Sequence, residues 1–326
     1  MRMTRRQLVN SSAAALLLAS TGRHALAQEL ETSKIILGFA PGGTLDLVGR
    51  RVADRLQRYS KTTIVENKTG AGGQIAVQTV KSAAPDGATI LLTPSSPISL
   101  HLYTYKKLPY DPVLDLAPVS GAAQFDYALA VGPLVPASVQ TVPEFLAWCR
   151  ANPALANFGS AGAGSAANFI GSALAKAGNA DLRHVAFRGS QPALLDMIGG
   201  QIAAVVGPTG EFMANVKAGK VRLLATSGAK RGKFTPTVQT IAEQGFSELA
   251  YTGWFAFYLP ARTAPETVQR LSTSIAGALA SSDVVEALAA AYMEPMPTSP
   301  GQLAAMLKTE TEFWAGLVKT VGFVPA

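Results

Sequence analysis

Apolar and polar positions along this chain switch repeatedly between a strand period and a helix period. Lys34-Ile-Ile-Leu-Gly-Phe39 reads as a short buried strand, after which Leu45, Val48, Val52 and Leu56 recur at helical spacing. Thr62-Thr-Ile-Val65 is a second strand, and Ile75 and Val80 mark a second helix. After the turn Pro85-Asp-Gly87, Ala88-Thr-Ile-Leu-Leu-Thr93 is a nearly continuous apolar run, as expected of a parallel strand covered on both faces, and it ends in Pro94-Ser-Ser-Pro97. A second series begins after Gly132-Pro133. It runs through a helix near 143–152, a strand near 156–159, a helix after Ser165 and a strand at Leu182–Phe187. A helix carrying Leu194, Leu195 and Ile198 follows, with strands at Ile202–Val206 and Val221–Thr226. Tyr251–Leu259 is a long aromatic strand, and beyond it lie only helical patterns: Pro265–Leu279, Ser282–Tyr292 and Pro300–Val321. This predicts an α/β protein of two α/β lobes, 28–130 with 251–326 in one and 131–250 in the other. Crossings near 127–132 and 250–258 join them.

Glycine-rich turns stand where strands give way to helices. Ala40-Pro-Gly-Gly-Thr-Leu-Asp46 follows the first strand, Thr69-Gly-Ala-Gly-Gly73 the second, and Phe158-Gly-Ser-Ala-Gly-Ala-Gly-Ser165 recurs in the second lobe. A missing Cβ lets backbone N–H groups approach a ligand, while the following helix presents unpaired donors and a partial positive charge. Such turns suit small anions, and two lobes would bring them face to face across one cleft.

Composition excludes several function classes. The chain has 326 residues, 48% apolar and 15% charged, enough to bury a substantial core. Its formal charge of +7 includes Arg2, Arg5, Arg6 and Arg23, which lie in a stretch of 27 residues without Asp or Glu. About +3 remains, with no basic-aromatic stripe, so nucleic acid is not an expected partner. That first stretch reads as an export signal: a charged start at Thr4–Val9, an apolar core at Ala13–Ala19 and a small-x-small site at Ala25-Leu-Ala27. The adjacent arginines and weakly apolar core resemble the twin-arginine type, although Leu8 replaces the usual aromatic, and an ordinary secretory signal that happens to hold Arg-Arg is the alternative. The mature chain is expected to begin at Gln28 and to work in the periplasm. A single cysteine, Cys149, in an amphipathic helix rules out an internal disulfide and reads as a buried small hydrophobe. With His101 and His184 as the only mature histidines, no metal or cofactor site is expected.

Further motifs bring a family into view. Phe39-Ala-Pro-Gly-Gly-Thr-Leu-Asp46 with Arg50, Val65-Glu-Asn-Lys-Thr-Gly-Ala-Gly-Gly73, Ala84-Pro-Asp-Gly87 and Lys107-Leu-Pro-Tyr-Asp-Pro112 resemble, in order and spacing, the Bug family of extracytoplasmic solute receptors. Gly159–Gly164, Phe187–Asp196 with Gly199-Gly-Gln201, Lys217–Arg222 and Trp254-Phe-Ala-Phe257 extend the resemblance over essentially the whole mature chain. These are the binding proteins of tripartite tricarboxylate transporters. The resemblance implies a type II periplasmic-binding-protein fold, with two crossover strands and a small carboxylate clamped between lobes. It also implies delivery to integral-membrane permease subunits, and the protein is expected to be a monomer. Carried over by motif, the first-lobe grip falls on Phe39, Ala40, Gly42, Gly43, Thr44 and Asp46, with Gly72 and Gly73 in the next turn and Ser95 and Ser96 after the third strand. The second-lobe positions are Ser160, Gly162, Gly164, Ser165, Asn168, Arg188 and Gly189.

Each position also has a plainer role. Gly42 and Gly43 satisfy a tight turn, Asp46 neutralises the first turn of its helix, Thr44 and Ser165 cap, and Arg188 pairs at the surface. Departures from the family pattern bear on the ligand. Phe187-Arg-Gly189 stands where members commonly have Tyr-Lys-Gly, Asn168 where histidine is frequent, and Ala203 and Gly207-Pro-Thr209 where aspartates often begin and end the next strand. Without that terminal acid an ammonium group loses its counter-charge, which favours a dicarboxylate or aromatic carboxylate over an amino acid.

Two other functions compete. A periplasmic sensor of the same fold would bind identically but report to a membrane sensor kinase. A dinucleotide enzyme is suggested by Gly162-Ala-Gly-Ser-Ala-Ala167, which follows a strand and opens a helix, but the acid at Asp181 precedes the next strand instead of ending it. A serine hydrolase lacks both its Gly-x-Ser-x-Gly turn and a usable histidine, so the chain is not expected to be an enzyme.

Overall fold

The computed structural model describes residues 30–321, with side chains as far as 319; the expected signal segment and its cleavage site lie outside the described residues. Strands β1 (Leu30–Leu37), β2 (Ser60–Asn67) and β3 (Thr89–Pro94) run parallel with β1 between the others. They are parallel because helices α1 (Thr44–Ala53) and α2 (Gln74–Lys81) carry the chain back across the sheet face. Ile35, Ile36, Leu37, Ile90, Leu91 and Leu92 are all at most 2% exposed, so both faces of β1 and β3 are covered, as expected from the apolar run at β3. A later strand, β9 (Thr252–Pro260), inserts antiparallel between β3 and β4 (Leu116–Val131). The first sheet therefore reads 2-1-3-9-4.

β4 is the crossing. Leu116–Asp126 pairs with β9, whereas Tyr127–Val131 pairs with β7 (Ala204–Pro208) and β8 (Arg222–Thr226) of the second sheet. β5 (Asn157–Ser160) lies parallel to β7 and to β6 (Arg183–Ala186), and β10 (Glu294–Pro295) edges β4 in the first sheet. The sequence pattern places this crossing near 127–132. The strand reaches back to Leu116 because bulges at Pro118/Ser120 and Gly121/Ala123 break the strict alternation that would have revealed it. The second connection is stitched to the first at Ser227: its N–H donates to the Tyr127 carbonyl and its Oγ accepts from Tyr127 N–H. Tyr251 N–H donates to the Ser227 carbonyl in turn.

The second lobe carries α4 (Val142–Ala151), α5 (Ala166–Ala177), α6 (Ser190–Ile198) and the short α7 (Met213–Lys217). α4 starts at a capping box in which Thr141 and Glu144 satisfy each other's backbone amides. Cys149 on its buried face has its thiol pushed up to about 12 by burial, which keeps it protonated and inert. The C-terminal helices α8 (Pro265–Leu279), α9 (Ser282–Ala290) and α10 (Pro300–Val321) return to the first lobe, with α8 and α10 against β4 and α9 against α1. The largest core cluster runs through both lobes, from Ile35 and Val48 by way of Tyr127 and Phe169 to Trp314.

His101 opens the short helix α3 (His101–Thr104), fully buried against the Tyr105 ring, with neither ring nitrogen hydrogen-bonded. Burial pushes its pKa down to about 3, so the folded protein keeps it neutral. In the unfolded chain it protonates near its ordinary value of about 6.5. The unfolded state therefore gains protons first on acidification, and stability from this group is intact above about pH 6.5 and falls as pH drops towards the folded value. The expected loss between pH 7 and pH 5 is about 2 kcal/mol. Urea unfolding of wild type and His101→Gln at the two pH values measures it: the variant should lack that part of the slope, and equal slopes would mean that the imidazole is solvated.

Candidate functional site

The glycine turns meet in one cleft. Phe39, Ala40, Gly43, Thr44 and Leu45 line a cavity from the first lobe, with Pro94 and Ser96 after β3 and Phe255 on β9. Ala161, Ser165 and Ala167 face them from the β5–α5 turn, Gly189, Ser190 and Gln191 from the start of α6, and Pro208 and Glu211 from beyond β7. Tyr127, at the crossing, forms part of the wall. The free space is about 50 Å³, room for the centres of a few waters or a compact ligand.

Three helix N-termini converge on this space. α1 begins at Gly43 and α6 at Gly189, neither of which has a side chain to cap the exposed amides. α5 begins at Ser165, whose Oγ accepts from Asn168 N–H. Each end contributes a partial positive charge, so their fields add in the cavity, while Thr44 N–H of α1 is already taken by Glu211 Oε1 and Ala166 N–H of α5 by Ser96 Oγ. Among the described residues no Lys, Arg or His lines it. An anion placed here would meet amides and helix dipoles, with no cationic side chain among the described residues of the wall.

The lobes are in contact around the cavity. Ala40 N–H donates to the Arg188 carbonyl at 2.9 Å, Ala166 N–H to Ser96 Oγ at 3.0 Å, and Tyr105 Oη to the Ala163 carbonyl at 2.8 Å. At one rim two glycines face each other: a Cβ on Gly162 would lie 2.9 Å from Gly72 Cα, and one on Gly72 would lie 2.9 Å from Ala163 O. Gly72 has φ +63, which a side chain adopts only at a cost of about 1 kcal/mol. Gly72→Ala should therefore hold the lobes apart and weaken ligand binding about tenfold. Calorimetric titration checks this, and unchanged affinity would show that this rim does not have to close.

The expected site residues divide accordingly. Phe39, Ala40, Gly43, Thr44, Ser96, Ser165 and Gly189 line the cavity. Gly72, Gly73, Gly162 and Arg188 line a neighbouring space at the rim, and the Arg188 side chain is exposed, reaching the other lobe through its carbonyl. The remaining positions support from behind. Asp46 accepts from Gly42 N–H, from Arg50 through two nitrogens and from Asn67. Burial opposes its charge, but Arg50, Gly42 and Asn67 outweigh that and lower its pKa. Ser95 bonds Tyr251 Oη, Asn168 Oδ1 accepts from Gly164 N–H, and Ser160 Oγ lies 2.7 Å from His184 Nε2. Gly164 packs against Tyr105 and Thr104, and the Gly162–Ala167 fingerprint is thus a turn closed upon the opposite lobe.

Glu211 also lines the cavity and is absent from the positions expected from sequence. It stands two residues beyond Thr209, in a single 3₁₀ turn at Thr209–Glu211. Thr209 Oγ1 anchors this turn to the Asp126 carbonyl at 2.7 Å, and Gly210 lies against the Ala291 carbonyl where a Cβ would not fit. Glu211 Oε1 accepts from both the N–H and the hydroxyl of Thr44, at 3.1 and 2.9 Å, bridging the lobes at the N-terminus of α1. Its Oε2 is buried with no hydrogen-bond partner. Burial raises its pKa, against the opposing pull of the Thr44 amide and hydroxyl and of nearby Ser190. An acid that the strand-end residues lack is thus present in the cleft.

Comparison with known proteins agrees with this architecture. Residues 48–323 match the tripartite tricarboxylate transporter family receptor, TctC. The chain is 32% identical over 291 residues to protein BugT of Bordetella pertussis, covering 89% of each. It superposes on the periplasmic binding protein BugD with a TM-score of 0.84 at 26% identity, over 90% of this chain and 99% of that one. For MatC (Rpa3494) of Rhodopseudomonas palustris, solved with bound malate, the TM-score is 0.82 at 26% identity, over 88% and 98%. With a family match over most of its length, a relative above 30% identity and a two-lobed fold shared with periplasmic binding proteins, the chain belongs to the tripartite tricarboxylate transporter receptors, the Bug family.

Proposed function

We propose that this receptor captures a small carboxylate between its lobes in the periplasm and presents the closed form to integral-membrane permease subunits. The observation that carries the reading is the convergence of three helix N-termini on one interlobe cavity. Backbone donors are already fixed in place, so they cost little to organise around an anion, and closure removes water and strengthens each charge-assisted bond. The bound malate of MatC is the same chemistry in a protein of this fold. The described residues of 28–130 and 251–326 form the fixed lobe, and 131–250 swings about Asp126/Tyr127 and the Ser227–Tyr251 connection. Export removes the first 27 residues after Ala27 by the twin-arginine route, and the mature protein acts as a monomer that binds without turnover.

The test is a thermal-shift screen of protein beginning at Gln28, unfolded and refolded to strip carried-over ligand. The panel holds mono-, di- and tricarboxylates, aromatic acids, amino acids and nicotinamide dinucleotides. A ligand that binds only the native state raises the melting temperature according to its affinity, by about 2.7 kcal/mol of stability at a hundred times its Kd. A sizeable rise with one class of carboxylate is the expected result. A response to a dinucleotide alone would overturn the proposal and restore the Gly162 turn as a cofactor site.

A further inference from the structure

Oxygen Oε2 of Glu211 poses a problem that the carboxylate reading alone leaves unsolved. It belongs to the one acid among the described residues that line the cavity, it is buried, and it has no hydrogen-bond partner among them. The other oxygen of the same carboxylate is held in place by Thr44 N–H and Oγ1, so the group is fixed where it stands. The Thr209 hydroxyl, donating to the Asp126 carbonyl, anchors the turn that carries it, and Gly210 packs closely against the Ala291 carbonyl. A buried acceptor without a donor is costly unless a ligand supplies one. With no Lys, Arg or His among the described residues of the wall, a second anionic group on the ligand would face the Glu211 carboxyl with no cationic side chain beside it.

We propose that Glu211 is the specificity-determining residue of the cleft: its free oxygen receives a cationic nitrogen of the ligand, so the preferred ligand is a compact carboxylate that also carries an ammonium group. This rests on the reading of the cleft as a carboxylate site, and it reverses the preference for dicarboxylates suggested by the residues ending β7. The ligand's carboxylate takes the helix N-termini and its ammonium takes Glu211. A matching dicarboxylate loses that bond and gains a like-charge contact, a difference that discriminates strongly because the buried partner is left unpaired.

Matched triples on one carbon chain test this by calorimetric titration of refolded protein from Gln28: propionate, β-alanine and succinate, then butyrate, 4-aminobutyrate and glutarate. Wild type should bind the amino acid of a triple at least tenfold more tightly than the dicarboxylate. Glu211→Gln keeps the acceptor for Thr44 but turns the free oxygen into a donor, so the ratio should fall at least tenfold, with the monocarboxylate changed less than threefold. A dicarboxylate bound as tightly as its amino partner, or a ratio unchanged in the variant, overturns the proposal. Equal strengthening of all three acids in the variant also overturns it, since Glu211 would then be a competitor for the α1 amides. Binding of nitrogen-free acids alone defeats this inference and leaves the carboxylate receptor standing, whereas no binding by any acid in the wider panel defeats both.

Discussion

Gly43→Asp should fold normally and lose ligand binding by a hundredfold or more. Gly43 sits at φ −84, a conformation open to any residue, and as the N-cap of α1 it is a position where aspartate is favoured. The helix itself therefore has no reason to suffer. What changes is the cleft. A Cβ here lies 3.2 Å from Glu211 Oε1, so the new carboxylate falls beside an existing one and covers amides that an incoming anion needs. Like charges brought together at a desolvated contact cost several kcal/mol, and about 3 kcal/mol already corresponds to more than a hundredfold in affinity. Gly43→Ser, a neutral cap of similar size, should keep most of the affinity and so separate charge from bulk. Circular dichroism and calorimetric titration of both variants decide the matter. Wild-type affinity in Gly43→Asp would move the binding site away from the start of α1.

Legibility in the sequence followed how local each signal was. The βα units of both lobes were readable because period and punctuation agreed: a buried run such as Ile35–Leu37, a Gly-Gly turn, then Leu45, Val48 and Val52 on one helix face. The closing helices were equally plain, with Pro265 and Pro300 at the starts of α8 and α10. β4 was visible only at its end, because Pro118, Ser120 and Gly121 blur its alternation and its two halves serve different sheets. Glycines at the cleft were identifiable as turns, yet their separate duties were not. Gly43 lines the cavity, whereas Gly72 and Gly162 allow two backbones to meet, a fact about tertiary contact that no local pattern encodes. Glu211 escaped for the same reason: only the fold shows that an acid past β7 reaches Thr44, 167 residues away. One signal was available, an acid in the Gly-Pro-Thr-Gly-Glu turn directly after a buried strand, the end of the sheet at which α/β proteins place ligands.

Trp314→Ala should destabilise the protein by about 3–5 kcal/mol, the range for emptying a large aromatic site in a core. Trp314 is fully buried on α10 and touches three rings: Phe169 of the second lobe edge-on at 5.4 Å, Tyr251 of the hinge connection at 4.7 Å, and Phe313 at 5.0 Å. Its indole N–H donates to Glu310 Oε1 at 3.0 Å, the same oxygen that accepts from Ser99 Oγ and Tyr251 Oη. Burial raises the pKa of Glu310, and Ser95, Trp314, Ser99 and Tyr251 oppose that rise. Deleting the indole thus opens a cavity and also removes one of the donors that make a buried carboxylate tolerable. Trp314→Phe separates these contributions. It fills most of the volume but cannot donate, so it should lose about 1–3 kcal/mol, the cost of an unmet hydrogen bond to a charged group. Urea denaturation followed by far-ultraviolet circular dichroism measures both. A loss below about 1 kcal/mol in Trp314→Ala would mean that the C-terminal helix is not part of the cooperative core. The location gives the result a functional edge. Trp314 braces Tyr251, and Tyr251 N–H ties to Ser227 beside the point where β4 changes sheets, so the helix that closes the fold also supports the hinge on which capture depends.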